Sequence, residues 1–120
     1  STLIHLRTLL ESYAWWTLVP DFANAFLTGG MGSSAARAPA ARAADGSFAI
    51  IYTRDIRDLT VNLGLLAGSQ VRARWYDPTS GSFATASGSP FAATGSRIFR
   101  PIGNNSRGKP DWVLVLDALP

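Results

Sequence analysis

The chain of 120 residues contains no cysteine and a single histidine, His5. Without cysteine it cannot form disulfide bonds, thiolate zinc sites or a cysteine nucleophile. Charged side chains are also sparse, and all but one of the eleven basic residues are arginines that occur singly, so no basic run indicates a nucleic-acid partner. No apolar stretch approaches the ~20 residues of a membrane span, and no signal-peptide pattern begins the sequence. We expect no membrane partner, and any export signal is expected elsewhere.

Turn-forming residues are abundant, with 11 glycines and 7 prolines. Together with plentiful aromatic side chains, they favour short strands joined by many turns over long solvated helices. A length of 120 residues fits one domain with one hydrophobic core. The composition therefore predicts a single all-β domain.

One amphipathic helix is predicted at the start, over residues 2–13. Leu3, Leu6, Leu10 and Tyr13 recur at three- and four-residue steps, and Thr2 is available as the N-cap. The helix cannot continue past residues 18–21, because Pro20 lacks an amide proton. Residues 28–44 are dominated by glycine, alanine and serine, and predict a loop followed by a thin edge strand.

About seven short strands are predicted, and they indicate an antiparallel β-sandwich with the N-terminal helix outside it. Asp45 and Gly46 form a hairpin signal between two of them. A second hairpin turn is predicted at residues 77–81. Alternation along residues 71–76 places Trp75 inward and Tyr76 outward. The continuous apolar run at residues 112–116 predicts a central strand. The remaining strands are expected near residues 41–44, 47–52, 59–63, 82–85 and 97–100.

Catalytic chemistry finds little support in the sequence. Glycoside hydrolysis needs two carboxylates placed across the scissile bond, but most aspartates here occupy turn positions, where local hydrogen bonding explains them. His5 lies on the predicted helix, far from any strained serine turn, which argues against a serine triad. A calcium site at Asp77 or Asp111 is conceivable, but no ligand spacing supports it, so no cofactor is predicted. We therefore predict that the chain is not an enzyme.

The aromatic side chains are the remaining candidates for function. Sugars bind by laying a C–H face on a flat ring while polar side chains bond the hydroxyls, and an outward Tyr76 beside two arginines fits that chemistry. The alternative is a surface ring that covers the arginine stems. The predicted carbohydrate-binding residues are Tyr76, Trp112, Trp16, Arg72, Arg74 and Asp77.

Trp15 and Trp16 follow the predicted helix and have a second interpretation. The pair is expected to pack the helix onto the sandwich or onto a missing neighbour domain more readily than to bind sugar. If exposed, the pair would mark a surface from which a neighbour domain is absent.

Several stretches together resemble the C-terminal domain of apiosidase-like glycoside hydrolases, a family also labelled "putative collagen-binding domain of a collagenase". In such proteins a catalytic α/β barrel precedes this domain, so the resemblance implies that residues 1–21 are a helical connector and residues 22–120 the β-sandwich. It also implies that the catalytic carboxylates belong to the missing part. The stretches that carry the resemblance are residues 9–12, 15–16, 18–21, 41–49, 75–78 with Gly81, and 111–117.

Three functions remain open at this point. The first is a secreted or periplasmic carbohydrate-binding accessory module of a bacterial glycoside hydrolase, which holds its partner near a plant-type polysaccharide such as β-glucan or hemicellulose. The second is a structural domain that packs on the catalytic barrel and has no ligand of its own. The third is a protein-binding module for collagen or another matrix.

Overall fold

A computed structural model describes residues 2–13, 15–21, 24–30, 32 and 38–120. These residues form one α-helix, α1 (Thr2–Glu11), two short 3₁₀ helices (Trp15–Thr17 and Leu63–Leu65) and ten strands. The strands are β1 (Leu18–Pro20), β2 (Leu27–Gly29), β3 (Ala40–Ala43), β4 (Phe48–Thr53), β5 (Leu59–Asn62), β6 (Gln70–Asp77), β7 (Ser82–Thr85), β8 (Phe91–Ala92), β9 (Ser96–Phe99) and β10 (Trp112–Leu119).

The strands make two antiparallel sheets. The larger has the order β1-β3-β4-β10-β6-β7, with β8 also paired to β6, and the smaller has the order β2-β5-β9. The main hydrophobic core includes side chains from both sheets, among them Ile51 and Leu114 of the larger and Leu59 of the smaller. The predicted all-β sandwich with one helix is confirmed.

The last strand, β10, lies at the centre of the larger sheet between β4 and β6, as its apolar run predicts. Leu114 and Leu116 belong to the inter-sheet core, whereas Val113 and Val115 belong to a second apolar cluster on the other face. Because successive strand residues face opposite sides, a strand that is covered on both faces needs no polar alternation. That double burial explains the uninterrupted apolar sequence.

Helix α1 covers the outer face of the larger sheet. Its Leu9 is buried in the second cluster with Tyr76, Val113 and Val115, and Leu6 packs against the same cluster. The helix is too short to span a membrane, and no helix in the described part of the chain is long and apolar enough to do so. The predicted cap at Thr2 and the face position at Leu3 rest on side chains outside the described residues.

Both predicted hairpins are present. Strands β3 and β4 pair about Asp45 and Gly46; Gly46 adopts a φ of 75°, and the Asp45 carboxylate accepts a hydrogen bond from the Ser47 amide at 2.9 Å. Strands β6 and β7 are joined by the turn after Asp77, where Gly81 has a φ of 77°. Glycine suits both positions because other residues rarely adopt positive φ.

Some strand predictions need correction. The alanine-rich strand β3 is not an edge strand, because β1 pairs with it through Leu18–Pro20. Strands β1, β2 and β8 have only two or three residues each, too few for a periodic signal. The division into a connector over residues 1–21 and a sandwich over residues 22–120 stays a prediction. The loop predicted over residues 28–44 includes Met31 and residues 33–37, which lie outside the described residues.

Candidate functional site

The predicted sugar platform at Tyr76 is not available as a surface. Tyr76 lies on the opposite side of the sheet from Trp75, as the alternation predicts, but α1 covers that side and leaves only 3% of Tyr76 exposed. The Tyr76 hydroxyl donates a hydrogen bond to the main-chain oxygen of His5 at 2.7 Å, and burial raises its pKa. The prediction that Tyr76 faces solvent is therefore wrong, and the ring instead anchors the helix.

Asp77 is buried and organises two loops. Its Oδ1 accepts hydrogen bonds from the Thr79 amide at 2.9 Å and the Thr79 hydroxyl at 2.6 Å, and its Oδ2 accepts one from the Ser106 amide at 2.9 Å. Burial acts to raise the pKa of this carboxyl, but the hydrogen bonds from Thr79 and Ser106 outweigh it and hold the pKa well below its usual range. Both oxygens are thus engaged by the protein.

The two predicted arginine contacts are engaged in a network on the outer face of β6. Arg72 and Arg74 both approach Oδ2 of Asp117, with their Nη2 atoms at 2.9 and 3.3 Å. Arg74 also donates to the Tyr13 hydroxyl at 2.9 Å, and its guanidinium carbon lies 4.0 Å from the centroid of the Phe83 ring. These contacts connect the end of the helical segment to the sheet.

Trp112 is half buried, and its ring is fixed on two sides. The indole nitrogen donates to the main-chain oxygen of Gly103 at 2.8 Å, and the ring meets Trp75 edge to face with centroids 6.4 Å apart. Trp75 itself points inward, as predicted, and is 5% exposed. These contacts use Trp112 to attach the loop after β9 to the core.

Trp16 differs from the other predicted aromatic residues, Tyr76 and Trp112, because it is exposed. Trp15 and Trp16 are 53% and 72% exposed, and their rings meet edge to face with centroids 6.2 Å apart. Exposed indole rings side by side are unusual on the surface of an isolated domain, since tryptophan buries more apolar area than any other side chain.

Two hollows share Leu6 and Leu10 of α1, and Trp15 lines the second of them. The first, of about 400 Å³, lies between α1 and the strands β1, β3, β4 and β10, and every described residue that lines it is apolar or aromatic. The second, of about 560 Å³, is bounded by Trp15 and by the exposed ion pair of Arg7 and Glu11. We refer to the two hollows together with Trp15 and Trp16 as the helical face.

The remaining candidate groups do not assemble into a catalytic or metal site. His5 Nδ1 lies 3.1 Å from the main-chain oxygen of Pro78, and Asp111 accepts from the Asn105 side-chain amide at 2.9 Å. The Asp21 carboxylate accepts main-chain amides of residues 25–27. No three His, Cys, Asp or Glu side chains are grouped to hold a metal ion within the part of the chain that the structure describes.

Residues 19–117 match the family described as "Putative collagen-binding domain of a collagenase". The match covers most of the chain. This chain belongs to that family. No curated protein matches it.

Two solved structures share its fold. One, described as a glycoside hydrolase, superposes with a TM-score of 0.78 at 24% identity over 95% of this chain. The other, a family 5 glycoside hydrolase from Bacteroides vulgatus, superposes with a TM-score of 0.81 at 21% identity over 98% of this chain. In each case the matched region is only 24% of the larger chain. This fold therefore occupies only part of a longer glycoside hydrolase chain in both comparisons.

Sequence reasoning missed most of the helical face. It identified Trp15 and Trp16 and placed Leu10 on the apolar face of the helix, and the structure leaves the Leu10 side chain 37% exposed. The strand β1, which supplies Leu18 and Pro20 to the first hollow, was interpreted as a connecting peptide. The signal that could have revealed the surface is the density of apolar side chains in residues 3–20, which exceeds what one short helix can bury.

Proposed function

We propose that this chain is a non-catalytic accessory domain of a multidomain glycoside hydrolase, and that its helical face packs on the catalytic domain. The observation that carries the proposal is the exposed Trp15 and Trp16 pair together with two hollows of about 400 and 560 Å³, which share Leu6 and Leu10 and the second of which Trp15 lines. Soluble domains seldom leave a continuous apolar surface of this kind uncovered unless it contacts a partner.

The choice of partner follows from the comparisons. The same fold occupies about a quarter of two glycoside hydrolase chains, so a larger neighbour exists in those proteins. The surface is mostly apolar, with one exposed ion pair at its rim formed by Arg7 and Glu11. An apolar centre with a polar rim is the composition expected of a contact between domains of one chain.

A non-catalytic role is supported by how the carboxylates are used. Asp77, Asp111 and Asp117 accept hydrogen bonds or ion pairs from neighbouring protein groups, and Asp21 orders a loop. Glycoside hydrolysis requires two carboxylates placed across the scissile bond, whereas these four are engaged by groups of the protein itself. Catalysis is therefore assigned to the neighbour and not to this domain.

The test uses the longer hydrolase and a Trp15→Ser, Trp16→Ser double variant. We expect the unmodified protein to unfold in one cooperative calorimetric transition and the variant to show two separated transitions, because the domains no longer stabilise each other. The matched control is the Ile98→Ser, Ile102→Ser double variant. It removes two exposed apolar side chains from β9 and the loop after it, outside the helical face. A double tryptophan variant that unfolds like the unmodified protein would refute the docking.

Polysaccharide binding is the second candidate, and the exposed Trp16 is the observation that favours it. An exposed ring of this kind can stack on the C–H face of a sugar. Affinity electrophoresis of the 120-residue chain in β-glucan, xylan, pectin and mannan gels tests this function, with Trp16→Ala as the variant. Retardation that Trp16→Ala abolishes would favour sugar binding over docking. Retention on fibrillar collagen, which the family description suggests, would favour a matrix-binding role.

A further inference from the structure

A second opening lies away from the helical face, at the edge of the sandwich where β9 ends the smaller sheet. It is a cleft of about 180 Å³ between β9, β8 and the loop that follows β7, and we refer to it as the edge cleft. Trp75 and Phe91, both largely buried, line it from the core side. The residues that give it chemical character are Ser87, Arg97, Ile98, Arg100 and Ile102.

Arg97 has an unusual position in this cleft. Its guanidinium carbon lies 4.1 Å from the centroid of the Phe91 ring, so the cation stacks on an aromatic face. No carboxylate lies within ion-pair distance of Arg97 in the described part of the chain. Stacking limits the motion of the side chain and leaves its N–H donors available to an anion.

Arg100 supplies the second positive charge. It pairs with Asp58 at 3.2 Å, but both side chains are more than half exposed, at 56% and 59%. An ion pair this exposed contributes little and exchanges readily for another carboxylate. The described residues that line the edge cleft include two arginines and no acidic side chain.

The apolar part of the edge cleft comes from two isoleucines. Ile98 and Ile102 are 61% and 90% exposed, although aliphatic side chains of this size usually lie inside a domain. Ser87 adds an exposed residue with a hydroxyl. An aliphatic wall, a hydroxyl and two guanidinium groups match the C–H face, hydroxyl groups and carboxylate of one acidic sugar ring. The volume is below the roughly 300 Å³ of a typical small-molecule pocket and suits a single ring.

We propose that the edge cleft binds a carboxylated sugar residue, with the carboxylate held by Arg97 and Arg100 and the ring against Ile98 and Ile102. The proposal does not rest on docking through the helical face. A simpler explanation is that Arg97 only prevents pairing at the edge strand β9, as charged side chains on edge strands do. Edge protection requires no contribution from Arg100 or Ile102, so an experiment can distinguish it from sugar binding.

The experiment is a ¹H–¹⁵N NMR titration of the 120-residue chain with methyl glucuronide and methyl galacturonide, each compared with the neutral methyl glycoside of the same sugar. Each pair differs only in the carboxylate. We expect saturable shifts at Ser87, residues 97–100 and Ile102 with at least one uronide, and at least about ten-fold weaker binding of its neutral partner, since charge-assisted hydrogen bonds are lost. No saturable shift, or equal binding of both members, would overturn the proposal.

Variants separate a specific site from general attraction to a basic protein. Arg97→Gln should weaken uronide binding about ten-fold or more. Arg107→Gln removes the same charge from an exposed position that does not line the cleft, farther along the loop between β9 and β10, and should leave binding unchanged. Equal weakening by both would show non-specific attraction and overturn the proposal.

Ile102→Ser should weaken binding of the uronide but not of acetate. If acetate alone produces the same shifts as the uronide, the cleft binds only an anion, and the proposal of a sugar site is overturned. The Trp15→Ser, Trp16→Ser variant should bind the uronide as the unmodified chain does. A failure of the sugar site can therefore be distinguished from a failure of the proposed docking through the helical face.

Discussion

Replacing Asp77 with asparagine should destabilise the domain by about 2 kcal/mol, because one hydrogen bond to a buried carboxylate is lost and one amide loses its acceptor. An asparagine whose oxygen occupies the Oδ1 position keeps both bonds from Thr79, at 2.9 and 2.6 Å. Its NH₂ group then faces the Ser106 amide, which donates to Oδ2 in the native domain. A domain of this length has a free energy of unfolding of about 6–18 kcal/mol, so the variant should still fold.

The difference in unfolding free energy between the native domain and Asp77→Asn should also decrease as the pH falls. The folded-state pKa of Asp77 is held well below the ordinary value of 3.8, so the native carboxylate stays charged where the unfolded chain binds a proton. The contribution of Asp77 is therefore complete well above pH 3.8 and is lost as the pH falls through the folded-state pKa. Between pH 7 and pH 3, the gap between the native domain and Asp77→Asn should narrow by about 1 kcal/mol.

Urea unfolding followed by tryptophan fluorescence at both pH values measures this gap. Asp45→Asn is the control, because Asp45 occupies the other hairpin turn but is exposed and accepts from the Ser47 amide. We expect a much smaller change from it at both pH values. A gap for Asp77→Asn that stays constant from pH 7 to pH 3 would refute the assignment of a charged, hydrogen-bonded carboxylate.

Three further outcomes test the packing around the sheets. Asp117→Asn should lower the free energy of unfolding in urea by about 1–2 kcal/mol, because two arginines lose their carboxylate; an unchanged value would show that the network contributes nothing. Burial raises the pKa of Tyr13 to about 12, so Tyr13→Phe should remove an ionisation near pH 12 from the tyrosinate absorbance titration, and loss of one near pH 10 would contradict that burial. Gly68→Ala should lower the melting temperature, because its new Cβ would lie 2.2 Å from the Leu119 main-chain oxygen. Gly103→Ala is the control, since its Cβ would meet no atom within 4 Å. Equal melting temperatures of the two variants would contradict this packing.

Local signals in the sequence are sufficient for much of the sandwich. The alternation that ends in Trp75 and Tyr76 correctly assigns the two faces of β6, and the apolar run at residues 112–116 correctly places β10 in the centre. Asp45 and Gly46 mark their hairpin because few residue pairs suit that turn. These features are determined by residues that are close together in the sequence, so the sequence alone is enough to predict them.

The prediction for Tyr76 failed because exposure is not a local property. Alternation reports which face of a strand a side chain occupies, but not whether a distant segment covers that face. Here α1, about 70 residues earlier, buries Tyr76 and accepts its hydrogen bond through the main-chain oxygen of His5. The same reason explains why the edge cleft was not predicted, since Arg97 and Phe91 come together only when the two sheets pack. Whether Trp16, Trp112, Arg72 and Arg74 bind sugar stays a prediction.

The position of β10 also constrains how the domain is made. Its neighbours β4 and β6 are synthesised first, yet they do not pair with each other, and each must wait for residues 112–119 to complete its ladder. Two apolar strand edges are therefore open to wrong partners while the chain emerges from the ribosome. Pairing over such sequence distances is slow, so these unfinished edges are where we expect chaperone binding and misassembly during synthesis.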